Sequence, residues 1–336
     1  MINPKVDTHN NESIKIWRVL SCIGVLVVHL GWKMSLEGNL RAFTDFGQYG
    51  VYLFFIISGY LSCFSRELQE GNVLRYWYKR AIRILPLYYF VIIVYYIAET
   101  YIYQTVPVDS TGLGWNRYFF LLSGFVKSDI KFWYNIGFTW TIPVFLVFYL
   151  LVPLKQRLTK NYWHSWMVIA FFAVLSYIIK RYGNGNLSAC TYLYFFDYGI
   201  MFYYCGKENK ERETVFLISV LLIGFLVFLN PVNVNIDYYA NIYALIIVLL
   251  LISTQQLKVH NKMIKQIIAV LDQYSYTIYL VQGIVFEEMI SKHVYSRRRV
   301  LLTGVIGTAI LAYIVYNLYE KPIHKALAKL EVGKGK

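Results

Sequence analysis

The stretch IKIWRVLSCIGVLVVHLGW, residues 14–32, decides the fold class. It is apolar almost throughout, and at 1.5 Å per residue a helix of this length crosses a hydrocarbon layer about 30 Å thick. Two ionisable side chains stand inside it, Arg18 and His29. At 100° per residue their spacing puts them within about 20° of one helix face, roughly 16 Å apart along the axis. A charge in hydrocarbon is costly, so each is a candidate for function. The bland alternative is also open: Arg18 snorkels to the interface and His29 is a hydrogen-bonded packing residue.

Nine further apolar runs follow, at 49–64, 85–103, 139–154, 166–179, 191–204, 214–229, 238–253, 275–290 and 300–319. Runs of this length are too long for outer-membrane strands, which need about 10 alternating residues. Backbone in lipid must satisfy its own hydrogen bonds, and helices do so segment by segment. The chain therefore reads as all-α, a polytopic transmembrane helix bundle of about ten spans. A shorter run, 118–126, is too brief to span and is expected at the surface or as a dip that returns. Residues 1–13 and the basic segment 321–336 read as cytoplasmic tails around one transmembrane domain, 14–320. The first run has no small-residue cleavage site, so it is expected to be a retained helix.

Composition agrees. Of 336 residues, 57% are hydrophobic and 15% charged, against about a quarter charged in soluble domains. The net charge of +14 does not imply a nucleic-acid partner, because the basic residues fall in the gaps between apolar runs. They favour the loops that ten spans with cytoplasmic termini place inside, among them Arg75, Lys79, Arg80, Arg83, Lys155 and Arg157. The four cysteines, Cys22, Cys63, Cys190 and Cys205, show neither metal nor redox spacing and read as buried thiols.

The second run, GQYGVYLFFIISGYLSCFSR, combines Gly47, Gly50 and Gly59 with Ser58. Its glycines suit close helix approach. After it comes RYWYKRAIRILPLYY, where Arg80 and Arg83 share a helical face just before Pro86. That pair is either a positive-inside anchor or a phosphate clamp, since guanidinium groups bind phosphate oxygens bidentately. Asp197, Glu287 and Glu288 are weaker candidates for buried acids.

With these segments in order, the sequence resembles the membrane-bound acyltransferase family 3, whose members mostly O-acylate cell-surface polysaccharides. The resemblance runs through Arg18 and His29, GVYLFFIISGYL (50–61), KRAIRILPLYY (79–89), TWTIPVFLVFYLLVP (139–153), YSYTIYLVQ (274–282) and YEKPIHK (319–325). The sequence departs from the family pattern at Tyr52, Phe145 and Gln282, where many members carry acidic residues or histidine. The resemblance implies transfer of an acyl group, most simply acetyl, from cytosolic acyl-coenzyme A to a hydroxyl of a glycan. It implies His29 as base or acyl carrier with Arg18 beside it, and Arg80, Arg83 and Lys79 on the donor. It also implies substrate or structural roles for Ser58, Trp140, Tyr276 and Glu320, and no metal. A multi-pass place in the cell membrane follows, with the bilayer, acyl-coenzyme A and a glycan as partners; a homo-oligomer is allowed. A glycan exporter is the competing expectation, because many helices and aromatics suit that task as well.

Overall fold

A computed structural model describes residues 12–102, 104, 112–127, 137–205, 221, 236–255, 257–286, 296–323, 325 and 326. Among the described residues the regular structure is helical, with no strand. The helices are α1 Glu12–Lys33, α2 Gly38–Asp45, α3 Tyr49–Ser62, α4 Val73–Ile97 and α5 Thr141–Leu158. They continue with α6 Tyr162–Tyr182, α7 Leu193–Cys205, α8 Ile236–Ser253, α9 Lys262–Ile284 and α10 Arg297–Ile323. Five helices among the described residues are long and apolar enough to cross a membrane: α1, α4 with its continuation to Ile102, α5, α6 and α10. The chain is a helical membrane protein. The expected run at 214–229, Glu287, Glu288 and most of both tails lie outside the described residues.

Two helices start well before their apolar runs. Helix α4 begins at Val73 rather than at 85, and α9 at Lys262 rather than at 275. Hydropathy marks where a helix is greasy, whereas its first turn is set by capping. Asn72 Oδ1 accepts the Arg75 N–H at 3.0 Å, and Asn261 Oδ1 accepts the Met263 N–H at 2.9 Å. As a result Arg80 and Arg83, expected on one helical face, belong to the same helix as the apolar run, and Asp272 lies within α9. Helix α2, in a stretch expected to be a connection, was missed because eight mixed residues give no apolar run.

The chain divides into two compact units, each assembled from several segments. The first comprises Met1–Gln69, Leu154–Phe171 and Tyr194–Ser275; the second comprises Glu70–Pro153, Phe172–Leu193 and Tyr276–Lys336. In the first, helices approach backbone to backbone. A Cβ placed on Gly50 would lie 2.4 Å from Ser21 O of α1, and one on Gly59 would lie 1.9 Å from Phe196 O of α7. The expected structural role of these glycines is met, and Gly199 of α7 plays the same part against Ile56. Phe55 and Phe196 stack at 4.7 Å beside that crossing.

In the second unit, α4 holds the short run 118–126. Tyr88 and Tyr89 donate their hydroxyls to Tyr118 O and Phe119 O at 2.8 and 3.1 Å. The run forms a turn of helix, Asn116–Phe119, and a 3-10 turn, Leu122–Gly124. Buried Arg117 donates to the carbonyls of Val126 and Lys127 at 2.6 and 3.0 Å, which closes the segment on itself.

Candidate functional site

In the first unit, α1 carries both intramembrane candidates. Arg18 pairs with Asp272 of α9, Nη2 to Oδ2 at 2.6 Å, with 21% and 9% of the side chains exposed. The adjacent Trp17 donates its Nε1–H to Thr254 Oγ1 at 2.8 Å. Arg18 is thus a half-buried cation compensated by a carboxylate. Asp272 lies before the apolar run of α9, so hydropathy gave no sign of it.

His29 sits half-buried nearer the other end of α1, its ring 5.4 Å from Trp32 at an angle of 50°. Trp32 Nε1 donates to Asp45 Oδ1 at 2.9 Å, and Arg41 Nε donates to Asp45 Oδ2 at 2.8 Å. The Arg41 guanidinium lies 5.8 Å from the centre of the Trp32 ring. Helix α2 therefore attaches a Trp–Asp–Arg cluster to the turn that follows His29. Imidazole can take a hydroxyl proton or carry an acyl group, the two services acyl transfer requires.

A second ion pair in this unit is sealed. Lys155 Nζ meets Asp197 Oδ2 at 2.5 Å, and both side chains are 1% exposed. Lys155 was expected among the cytoplasmic-loop cations. Instead it is buried and neutralised, because α5 continues to Leu158 and turns this residue inward. Asp197, a weak candidate in the sequence, becomes a firm one. Its partner stands forty-two positions earlier, a separation at which no helical spacing rule applies.

In the second unit, three residues expected at the site come together. Arg83 and Glu320 line a cavity of ≈ 10 Å³ with Ile82, Pro86, Leu87, Tyr319 and Ile323, enough for about one water. Pro86, inside α4, has no N–H to give the Ile82 carbonyl. Two tyrosines grip α4 at this break: Tyr276 donates to Ile84 O at 2.8 Å and Tyr319 to Pro86 O at 3.0 Å. The Thr277 hydroxyl hydrogen-bonds Glu320 Oε2. Arg83 itself is exposed on the other side. Arg80 lies over Tyr76 and Tyr149, 5.2 and 5.1 Å from their centres, a seat that fixes the guanidinium plane.

The remaining expected residues are dispersed. Ser58 is half-buried on α3, and Lys79 half-buried on α4. Trp140 tilts against Tyr192 at 4.7 Å, and Lys180 lies 5.6 Å from the same tyrosine. The three departures are all packed. Tyr52 stacks on Phe195 at 4.3 Å, Phe145 stacks on Tyr149 at 6.1 Å, and buried Gln282 donates to Tyr279 O at 3.1 Å. Among the described residues no group of three His, Cys, Asp or Glu stands in metal-ligating proximity. Sequence reasoning missed Trp32, Arg41, Asp45, Asp272 and Thr277. Of these, Trp32 stood one helical turn beyond His29 and Thr277 stood within the segment 274–282; the others gave no signal.

The model of a family described as an acyltransferase domain matches residues 11–317. Among curated proteins, Nodulation protein 10 of Rhizobium leguminosarum bv. viciae is 28% identical over 180 residues. That match covers 47% of this chain and 46% of the relative, so the chain spans under half the length of the curated protein it matches. No solved structure matches.

Proposed function

The chain belongs to acyltransferase family 3, and from that premise we propose that it transfers an acyl group, most simply acetyl, from cytosolic acyl-coenzyme A to a hydroxyl of a cell-surface or lipid-linked glycan. Ten spans with both termini in the cytoplasm, in the cell membrane, are part of this reading. The observation that carries it is the placement of His29 in an apolar helix that also holds the compensated Arg18.

His29 takes the proton from the sugar hydroxyl as its oxygen attacks the thioester carbonyl. The C–S bond breaks, coenzyme A leaves as thiolate, and the proton returns to that sulfur. If His29 first carries the acyl group, its ring nitrogen bonds the carbonyl carbon as the C–S bond breaks and the thiolate leaves. The sugar oxygen then forms the ester bond as that C–N bond breaks, and the hydroxyl proton passes to the freed imidazole. Arg18 supplies positive charge on the same face, and Asp272 keeps it oriented. Arg80, Arg83 and Lys79 bind the donor's phosphates; a guanidinium fixed between two tyrosine rings suits phosphate recognition. Ser58 and Trp140 contact substrate, while Tyr276 and Glu320 hold the Arg83 region.

Base-labile acetyl esters on the surface glycans of expressing cells test the proposal. With His29→Ala they fall to background while the protein still reaches the membrane. Arg80→Ala with Arg83→Ala weakens binding of acetyl-coenzyme A to the purified protein at least tenfold. Undiminished esters in the His29 variant would remove the proposed centre.

A further inference from the structure

The turn beyond His29 carries groups that the transfer chemistry does not use. Trp32 is 46% exposed, and its plane is fixed because its N–H is spent on Asp45. Arg41 gives Nε to the same carboxylate, and its two Nη nitrogens make no hydrogen bond among the described residues. Asp45 has accepted one hydrogen bond on each oxygen and retains lone pairs on both. An interfacial tryptophan whose only task is anchoring needs no such frame, and a charged pair facing hydrocarbon would be costly. Helix α2 separates the two environments. Leu40 and Phe43 are exposed along one edge, and Arg41 and Asp45 lie on a face more than about 100° away.

We propose that Trp32, Arg41 and Asp45 form the acceptor subsite, and that its ligand is a neutral pyranose ring of the glycan. The ring's apolar C–H face stacks on the indole. Its hydroxyls accept hydrogen bonds from Arg41 Nη and donate to Asp45. A rigid aromatic platform beside a guanidinium and a carboxylate is the chemistry that recognises a sugar, which is apolar on its faces and hydroxylated at its rim. Because Trp32 follows His29 by three residues with the rings 5.4 Å apart, a sugar seated there has a hydroxyl beside the imidazole. The inference rests on the acyl-transfer reading and adds the residues that choose the acceptor.

Two measurements on each variant test it: base-labile acetyl esters on the surface glycans of expressing cells, and acetyl-coenzyme A affinity of the purified protein in lipid. Trp32→Ala lowers the esters about tenfold and leaves the affinity within about twofold. Trp32→Tyr, which keeps a flat ring, recovers most of the esters, and Asp45→Asn gives an intermediate loss. Full ester levels in Trp32→Ala overturn the proposal. So does an equal loss in Trp32→Tyr and Trp32→Ala, or a parallel loss of donor affinity, since each marks a purely structural residue. If wild-type cells carry no such esters while the protein binds acetyl-coenzyme A, the glycan reading itself is wrong and the subsite falls with it. If Trp32→Ala and Asp45→Asn act as expected but His29→Ala keeps its esters, the subsite stands and the assignment of the base fails.

Discussion

Two ion pairs of the first unit, Lys155–Asp197 and Arg18–Asp272, share a chemistry and differ in access. Lys155–Asp197 is sealed at 1% exposure on both sides, whereas Arg18–Asp272 keeps 21% of the arginine open. A sealed pair has already lost its water and cannot offer its charge to a ligand, so its task is to hold α5 and α7 in register. A partly open pair keeps donors available and can exchange one partner for another. Burial, more than the presence of a charge in the membrane, separates the sealed pair from the one proposed to act in transfer.

The sharpest way to break this comparison is to unbalance the sealed pair. Lys155→Met leaves an uncompensated carboxylate, and a loss of about 3–5 kcal/mol is expected, read as a lower thermal unfolding midpoint in detergent. The double variant Lys155→Met with Asp197→Leu should regain most of that stability and keep activity; if it unfolds as readily as the single variant, the pair does more than neutralise itself. Next in size, Asp272→Asn should cost about 1.5 kcal/mol of stability while lowering acetyl transfer at least tenfold. A stability loss as large as that of Lys155→Met, with activity intact per folded molecule, would erase the distinction. The smallest effect is expected where a carboxylate is held by a neutral partner. Thr277→Val removes the hydroxyl from Glu320 and should cost about 1 kcal/mol, with a few-fold weaker donor affinity that Thr277→Ser restores.

The sequence made plain whatever depends on local pattern. The apolar length of α1, the shared face of Arg18 and His29, and the suitability of Gly50 and Gly59 for close approach are all read within a single helix. Three expected residues, Arg83, Tyr276 and Glu320, line up around Pro86 because the family motifs placed them there. What escaped depends on partners far along the chain. Asp272 meets Arg18 across 254 positions of sequence; its position is set by where α9 is capped, at Asn261, and hydropathy is blind to that. Lys155 resembled every other cation at a helix end until its helix proved to continue. Arg41 and Asp45 belong to a helix too short to leave a period, and their meaning comes from Trp32, which they hold.

Near the C-terminal end of α10, Tyr316–Glu320 is a π turn. Such a turn is an α-helix that has absorbed one surplus residue, so wheel arithmetic carried across it drifts by about 100°. Residues after Tyr316 therefore present a different side from the one an uninterrupted helix would show. Glu320 meets Thr277 because of that offset, and excising Asn317 or Leu318 would swing the carboxylate out of reach and leave the C-terminal motif spelled correctly but facing the wrong way.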